Sequence, residues 1–274
     1  GTVIYGKADI VTIEPFDSTV KTIGDNDFYS WTHATGLDIK EGFTNISNYA
    51  FYNWSGALSI VLPNSLLTIG AYSFAEWVNL NTDVVINGNL TTIGNNAFEN
   101  WSKAKSLTLG ASVTNVGGTA FAGWSAATSL IFANGFNGLK GNYCFARWTA
   151  IKSITLPNSV TGSLPLGCFG ACRSIESFTL SENLTLLGAA CMRGMVKLKT
   201  LTIPTNIATI DASALNNFSA CDEIIMLRTT PPATAAGILT GLKSTCVIKV
   251  PSSSLTAYQA ATGWSAHASK MIGI

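Results

Sequence analysis

A seven-residue phrase recurs along this chain at a near-constant interval, and it limits what the chain can fold into. The phrase reads TIGDNDF at Thr22–Phe28, TIGAYSF at Thr68–Phe74 and TIGNNAF at Thr92–Phe98. Looser copies stand at Asn115–Phe121 (NVGGTAF), Ser163–Phe169 (SLPLGCF) and Leu186–Met192 (LLGAACM). With the closing aromatic as position zero, one column holds Phe28, Phe51, Phe74, Phe98, Phe121, Phe145, Phe169, Met192 and Leu215, at steps of 23 or 24 residues. A fixed period of that length means stacked coils that share one continuous core, because a single coil cannot bury its own apolar face.

The other columns give each coil its shape. Five places before zero stand Ile23, Ile46, Ile69, Ile93, Val116, Leu164, Leu187 and Ile210, interrupted only by Lys140, with Leu139 beside it. Fifteen places after zero come Phe43, Leu66, Val113, Phe136, Val160, Leu184 and Ile207, with Leu90 displaced by one. Between them an alternating pair recurs: Leu37/Ile39, Ile60/Leu62, Leu107/Leu109, Leu130/Phe132, Ile154/Leu156, Phe178/Leu180, Leu201/Ile203 and Ile224/Met226. Period two predicts a short strand there, and Pro63, Pro157 and Pro204 end it by removing the next ladder donor. Val84/Ile86 arrives one residue late, which predicts a bulge or a longer turn in that coil. The segment around position zero, apolar at zero, three and six, is long enough for one helical or 3-10 turn. The expectation is a right-handed stack of about nine coils, one strand each, forming a long parallel sheet, with a degenerate leading coil at Val11, Ile13 and Val20.

Composition excludes several functions. Charged residues are 11% of the chain, against roughly 25% in ordinary domains, so Ser, Thr and Asn must solvate the surface. The net charge of +1 gives no field that would gather nucleic acid or anionic lipid, and no apolar run approaches a membrane span. Residues 1–41 hold seven of the fifteen acids, and residues 140–249 hold ten of the sixteen basic groups, a mild dipole along the stack. The chain opens at Gly1, so any export signal or lipid anchor is expected to have been removed already.

The coil pattern I-G-x-x-A-F-x-x-W-x-x-L-x-x-I-x-L-P-x-x-V, seen across Ile69–Phe74 and Phe145–Val160, resembles the BspA-type leucine-rich repeat of bacterial surface proteins. The ending, with Thr230-Pro231-Pro232, Val247–Pro251, Tyr258, Gly263-Trp264 and Ile272-Gly273-Ile274, resembles the C-terminal cap of such proteins in gut Bacteroidetes-like bacteria. The resemblance implies a leucine-rich repeat solenoid over residues 1–228, closed by a cap over 229–274. It also implies a non-enzymatic protein that is secreted or held at the cell surface, with adhesive or host-binding roles. Where the family commonly has Cys at position three, this chain has Trp31, Trp54, Trp77, Trp101, Trp124 and Trp148, reverting to Cys172, Met195 and Phe218.

That tryptophan ladder reads either as a carbohydrate platform or as core. Core is favoured because position six compensates in volume: Ala34, Ala57, Ala104 and Ala127 accompany Trp, whereas Ile175 and Leu198 accompany the smaller Cys172 and Met195. The indole N–H groups are then expected to bond turn carbonyls. Cys144, Cys168 and Cys191 fill a small column held elsewhere by Ala50, Ser73, Ala97, Ala120 and Ala214, and Cys172 and Cys221 fall in apolar columns. Buried free thiols are expected rather than disulfides or a metal centre. No catalytic set is visible, since His33 and His267 belong to opposite ends of the stack, and no cofactor is expected. Asp25-Asn26-Asp27 reads as a solvated turn, not a calcium loop.

The outward row of the strands remains. Ser106, Thr108, Ser153, Thr155, Ser177, Thr179, Thr200 and Thr202, with Ile131 and Ile225 as apolar interruptions, predict a flat hydroxyl-rich strip on the sheet face. Its functional reading is a contact surface for a host extracellular protein or glycan. The alternative is a structural spacer with no ligand of its own, in which the strip only keeps the sheet soluble; a clustered exposed apolar patch would favour binding over that alternative.

Overall fold

The computed structural model describes residues 2–5, 10–235 and 237–274; Gly1, where the solenoid was expected to start, lies outside the described residues. A principal row of strands runs through Ile10–Pro15, Gly36–Ile39, Ser59–Val61, Asp83–Ile86, Ser106–Leu109 and Ser129–Phe132. It continues through Ser153–Thr155, Ser177–Thr179, Thr200–Ile203, Glu223–Met226, Val247–Val250 and Met271–Gly273. Parallel pairing sets like columns against each other: Leu37 faces Ile60, Leu107 faces Leu130, Ile154 faces Phe178 and Ile224 faces Ile248. The predicted register therefore holds, because a slip of one residue would turn every apolar pair out to water.

Three expectations need adjustment. The stack has about eleven coils, not nine, because the leading coil and the C-terminal segment each add strands to the principal row. The row is not one continuous ladder but three hydrogen-bonded groups, with breaks after Ser59–Val61 and after Ser129–Phe132. Most coils also contribute a second short strand, from Thr22–Ile23 through Asn45–Ile46, Thr68–Ile69, Thr92–Ile93 and Asn115–Val116, and again from Gly162–Leu164 to Ala233–Thr234. Most of these second strands are two-residue pairs, such as the Thr–Ile that opens the recurring phrase, too short for a period-two pattern to show.

The irregular coils now have locations. Asp83–Ile86 pairs with Ser106–Leu109 without a register shift, so the extra residue there is a longer turn. At the apparent break in the Ile column, Leu139 and not Lys140 bridges to Val116 and is buried. A shifted register does occur at Gly162/Ser163, in the second row.

The third side of each coil is a bonded turn rather than a helical segment. Residues two before and two after position zero have positive φ, as in Asn26 (59°) and Ser30 (58°), and again in Tyr49 (56°) and Asn53 (59°). This alternation aims every second N–H along the stack: Asn26 N donates to Asn48 O at 3.1 Å, Phe28 N to Ala50 O at 2.9 Å and Ser30 N to Tyr52 O at 2.8 Å. The backbone bonds of the turn thus join coil to coil, which satisfies buried donors that a lone turn would leave open.

At the start, Thr2–Tyr5 pairs antiparallel with Ile10–Pro15. At the end, the helix Leu255–Ala260 packs against the 3-10 segment Ser265–Lys270 and against the last strand. Trp264 is buried and donates its indole N–H to Pro232 O at 2.9 Å, while Tyr258 Oη donates to Arg228 O at 2.8 Å. Val247–Val250 and Met271–Gly273 extend the parallel ladder in register.

Candidate binding surface

Alternation along the principal strands turns one set of side chains into the core and the other outward. All ten residues of the predicted strip lie on these strands. Register places Ser153 against Ser177 and Thr155 against Thr179, with Ser177 against Thr200 and Thr202 against Ile225. In the preceding group Thr108 lies against Ile131 and Ser106 against Ser129. Ser153, Thr155, Ser177, Thr179, Thr200 and Thr202 are exposed, whereas Ser106, Thr108 and Ile225 are half-buried. The ladder break after Ser129–Phe132 divides the strip into two hydrogen-bonded parts.

Two shallow depressions mark this face. One, of about 420 Å³, is bordered by Ser177, Thr179, Thr200, Thr202, Asn206 and Leu227. The other, of about 390 Å³, spans the ladder break between Ser129, Ile131 and Asn134 on one side and Ser153, Thr155 and Pro157 on the other. Sequence reasoning missed two members of the face. Val61 and Val85 occupy the same outward column as Thr108 and Ile131, and the three aliphatic side chains are 56%, 57% and 54% exposed. Their signal was available as β-branched residues between the paired core positions.

The polar groups of the strip are not uniformly free. Ser106 Oγ donates to Asp83 Oδ1 at 2.6 Å, and Lys249 Nζ pairs with Glu223 at 2.7 Å at the far end. The hydroxyls from Ser153 to Thr202 lie between these two charged boundaries. An extended, rigid row of hydroxyls with aliphatic neighbours can make many weak contacts to a flat partner.

The other constellations resolve into structure. Trp54, Trp77, Trp101, Trp124 and Trp148 are buried, stacked on one another at 5.3 to 5.5 Å, and each donates Nε1–H to the position-zero carbonyl of the preceding coil. Trp31 departs from the expectation of a buried column and is 41% exposed; it opens the ladder, stacked on Trp54. The six cysteines are buried free thiols, and Cys144 Sγ lies 3.3 Å from Cys168 Sγ. Burial pushes the Cys172 thiol up to about 12. His33 is exposed in the second coil, while His267 sits in the C-terminal 3-10 segment, where burial holds its pKa below the usual value. Asp25 Oδ1 accepts Asn48 N–H and Asp27 Oδ2 accepts Gly24 N–H, so both carboxylates serve the backbone. Among the described residues no group of three or more His, Cys, Asp or Glu side chains could hold a metal ion, and no helix is long and apolar enough to cross a membrane.

Two rows of short parallel strands around an aromatic spine define a leucine-rich repeat solenoid. The sequence matches the BspA type leucine rich repeat region in six copies, over residues 5–128 and 140–231. The chain belongs to this family. Among solved structures it is similar to a leucine-rich repeat protein from Bacteroides ovatus, with 20% identity and a TM-score of 0.62, covering 100% of this chain and 80% of that one. A leucine-rich repeat protein from Eubacterium ventriosum matches with 17% identity and a TM-score of 0.51, over 92% of this chain and 78% of that one. A leucine rich cell surface protein from Faecalibacterium prausnitzii matches with 17% identity and a TM-score of 0.41, over 91% and 92%. No curated protein matches the chain.

Proposed function

We propose that this chain is a non-enzymatic, extracellular or surface-held adhesion protein that binds a host protein or glycan through the sheet face of its solenoid, with residues 229–274 acting as the cap of a repeat domain over 1–228. The single observation that carries this reading is the exposed aliphatic row of Val61, Val85 and Ile131 set beside the hydroxyl strip from Ser153 to Thr202. Three aliphatic side chains, each more than half exposed in one outward column and interrupted by Thr108, supply apolar surface that a partner could cover and that a pure spacer does not need. Stacked coils hold the surface rigid, so little conformational entropy is lost when a partner docks.

The test is direct binding of the purified chain to arrayed host matrix proteins, mucins and bacterial polysaccharides, beside a variant with Thr108, Thr155, Thr179 and Thr202 changed to Glu. Binding that disappears in the variant supports the sheet-face reading. Failure to bind anything, or binding that survives in the variant, removes it and leaves the spacer ahead.

A further inference from the structure

The turn row, on another side of the coil, carries a second surface. In the early coils it is roofed by side chains that bridge one coil to the next: Tyr49 stacks on Tyr72 at 4.8 Å, and Asn100 Nδ2 donates to Glu76 at 2.6 Å. Farther along, glycines and alanines take these positions, and a groove of about 470 Å³ opens over the turns. Gly167 and Gly170 lie in its floor, and Tyr143, Arg147, Arg173 and Arg193 stand around it.

The groove depends on its glycines. A Cβ at Gly167 would stand 2.1 Å from Tyr143 Cε1, so the tyrosine ring lies across that coil only because position 167 has no side chain. The ring remains 42% exposed. Arg147 reaches Glu99 at 3.2 Å, while Arg173 and Arg193 are exposed and take part in no ion pair among the described residues. The three arginines come from three successive coils, so they span roughly 10 Å along the stack at a strand spacing near 4.8 Å. They are three of the ten basic residues that the stretch 140–249 carries.

We infer that this groove binds an acidic saccharide, a short segment bearing carboxylate or sulfate groups. Guanidinium forks match both oxyanions in a planar, paired geometry. The exposed face of Tyr143 beside them supplies the flat apolar surface that a sugar ring covers. A volume of about 470 Å³ lies in the range of small-ligand sites and suits one or two sugar units. With a net charge of +1 over the whole chain, there is no extended positive field of the kind that captures long nucleic acids, so recognition must be short-ranged. No residue named here belongs to the sheet strip, and the inference stands or falls apart from the sheet-face proposal.

The test is titration calorimetry with three oligosaccharides of matched length: an oligogalacturonate, a heparin-derived sulfated oligosaccharide and a neutral cello-oligosaccharide. Binding of either acidic probe, with the neutral one silent, is the expected result, and the two acidic arms distinguish carboxylate from sulfate. The double variant R173Q/R193Q should weaken that binding about tenfold or more, and Tyr143→Ala should weaken it several-fold, with melting temperatures unchanged. A T155E/T179E variant of the sheet face should bind the acidic probe as the parent does. The inference is overturned if neither acidic probe binds, if R173Q/R193Q binds as well as the parent, or if the neutral probe or a single-stranded DNA of equal length binds equally well.

Discussion

The indole N–H of Trp101 donates to the carbonyl of Phe74, one coil back, at 2.6 Å, and the Trp101 ring meets its own coil's Phe98 edge to face at 5.1 Å. One side chain therefore links two coils by packing and by a bond to a buried acceptor. The same arrangement recurs from Trp54 to Trp148, and where the ladder ends Cys172 Sγ lies 3.4 Å from Phe145 O, in the place of the indole donor.

Truncation of this link is costly in the middle of the stack and cheap at its start. Trp101→Ala should destabilise the chain by roughly 3–5 kcal/mol, the range of large aromatic truncations in a core. Trp31→Ala should cost about 1 kcal/mol, since its exposed ring offers mainly its contacts with Phe28 and Trp54. Trp101→Phe, which keeps a ring but leaves the Phe74 carbonyl without its donor, should fall between them at about 1–3 kcal/mol. Urea unfolding of the three variants measures this order, and equal midpoints for Trp101→Ala and the parent would contradict it.

Buried acids make the fold sensitive to alkali. Burial raises Cys172 to about 12 from 9.0, and Tyr258 to about 12 from 10.0. In both cases the unfolded chain releases its proton first, so stability is full below pH 9 and is lost as pH rises toward 12. Thermal melts between pH 7 and 11.5 should be flat up to about pH 9 and fall above it. Replacing Tyr258 with Phe should flatten part of that fall while removing its bond to Arg228 O.

Two glycines should separate steric need from conformational need. A Cβ at Gly141 would meet Gly117 C at 2.1 Å and Gly117 O at 2.3 Å, both backbone atoms of the preceding coil. Gly141→Ala should therefore force the coils apart at a cost of about 3 kcal/mol. Gly162 has φ of +78° but open space around it, so Gly162→Ala should cost only about 1–2 kcal/mol for the left-handed backbone. A melting temperature lower for Gly162→Ala than for Gly141→Ala would refute the assignment.

The cysteine column should tolerate its own repeat's alternatives. Cys168 occupies the place that Ala97 and Ala120 fill in other coils, and all three are buried. Cys168→Ala should cost about 1 kcal/mol or less and leave the spectrum of the folded chain unchanged. In the native parent, Cys172 and Cys191 should resist alkylation at pH 8 and react fully in denaturant, because burial keeps both thiols protonated there. Rapid labelling of the native chain at either position would show that the coils open.

Much of the architecture was legible because a repeat averages out local ambiguity. The position-zero column, the paired strand positions and the burial of Trp54 through Trp148 all follow from aligning coils, since each coil states the same preference again. The outward strip was legible for the same reason, as the residues that alternate with the core pair. The second row of strands was not, because most of its members, like Thr68–Ile69, are two residues long and their pairing is settled by the neighbouring coil.

By itself the sequence determined the period, the core columns and the strand face, because apolar spacing fixes which side chains must leave water. Only the tertiary structure decided what depends on neighbours across coils: that Leu139 and not Lys140 joins the column, that Trp31 stays exposed, that the ladder breaks after Ser129–Phe132, and that Tyr143 lies over Gly167 beside three arginines. Those outcomes turn on backbone bonds and open space between residues about 24 positions apart, and no single coil carries that information.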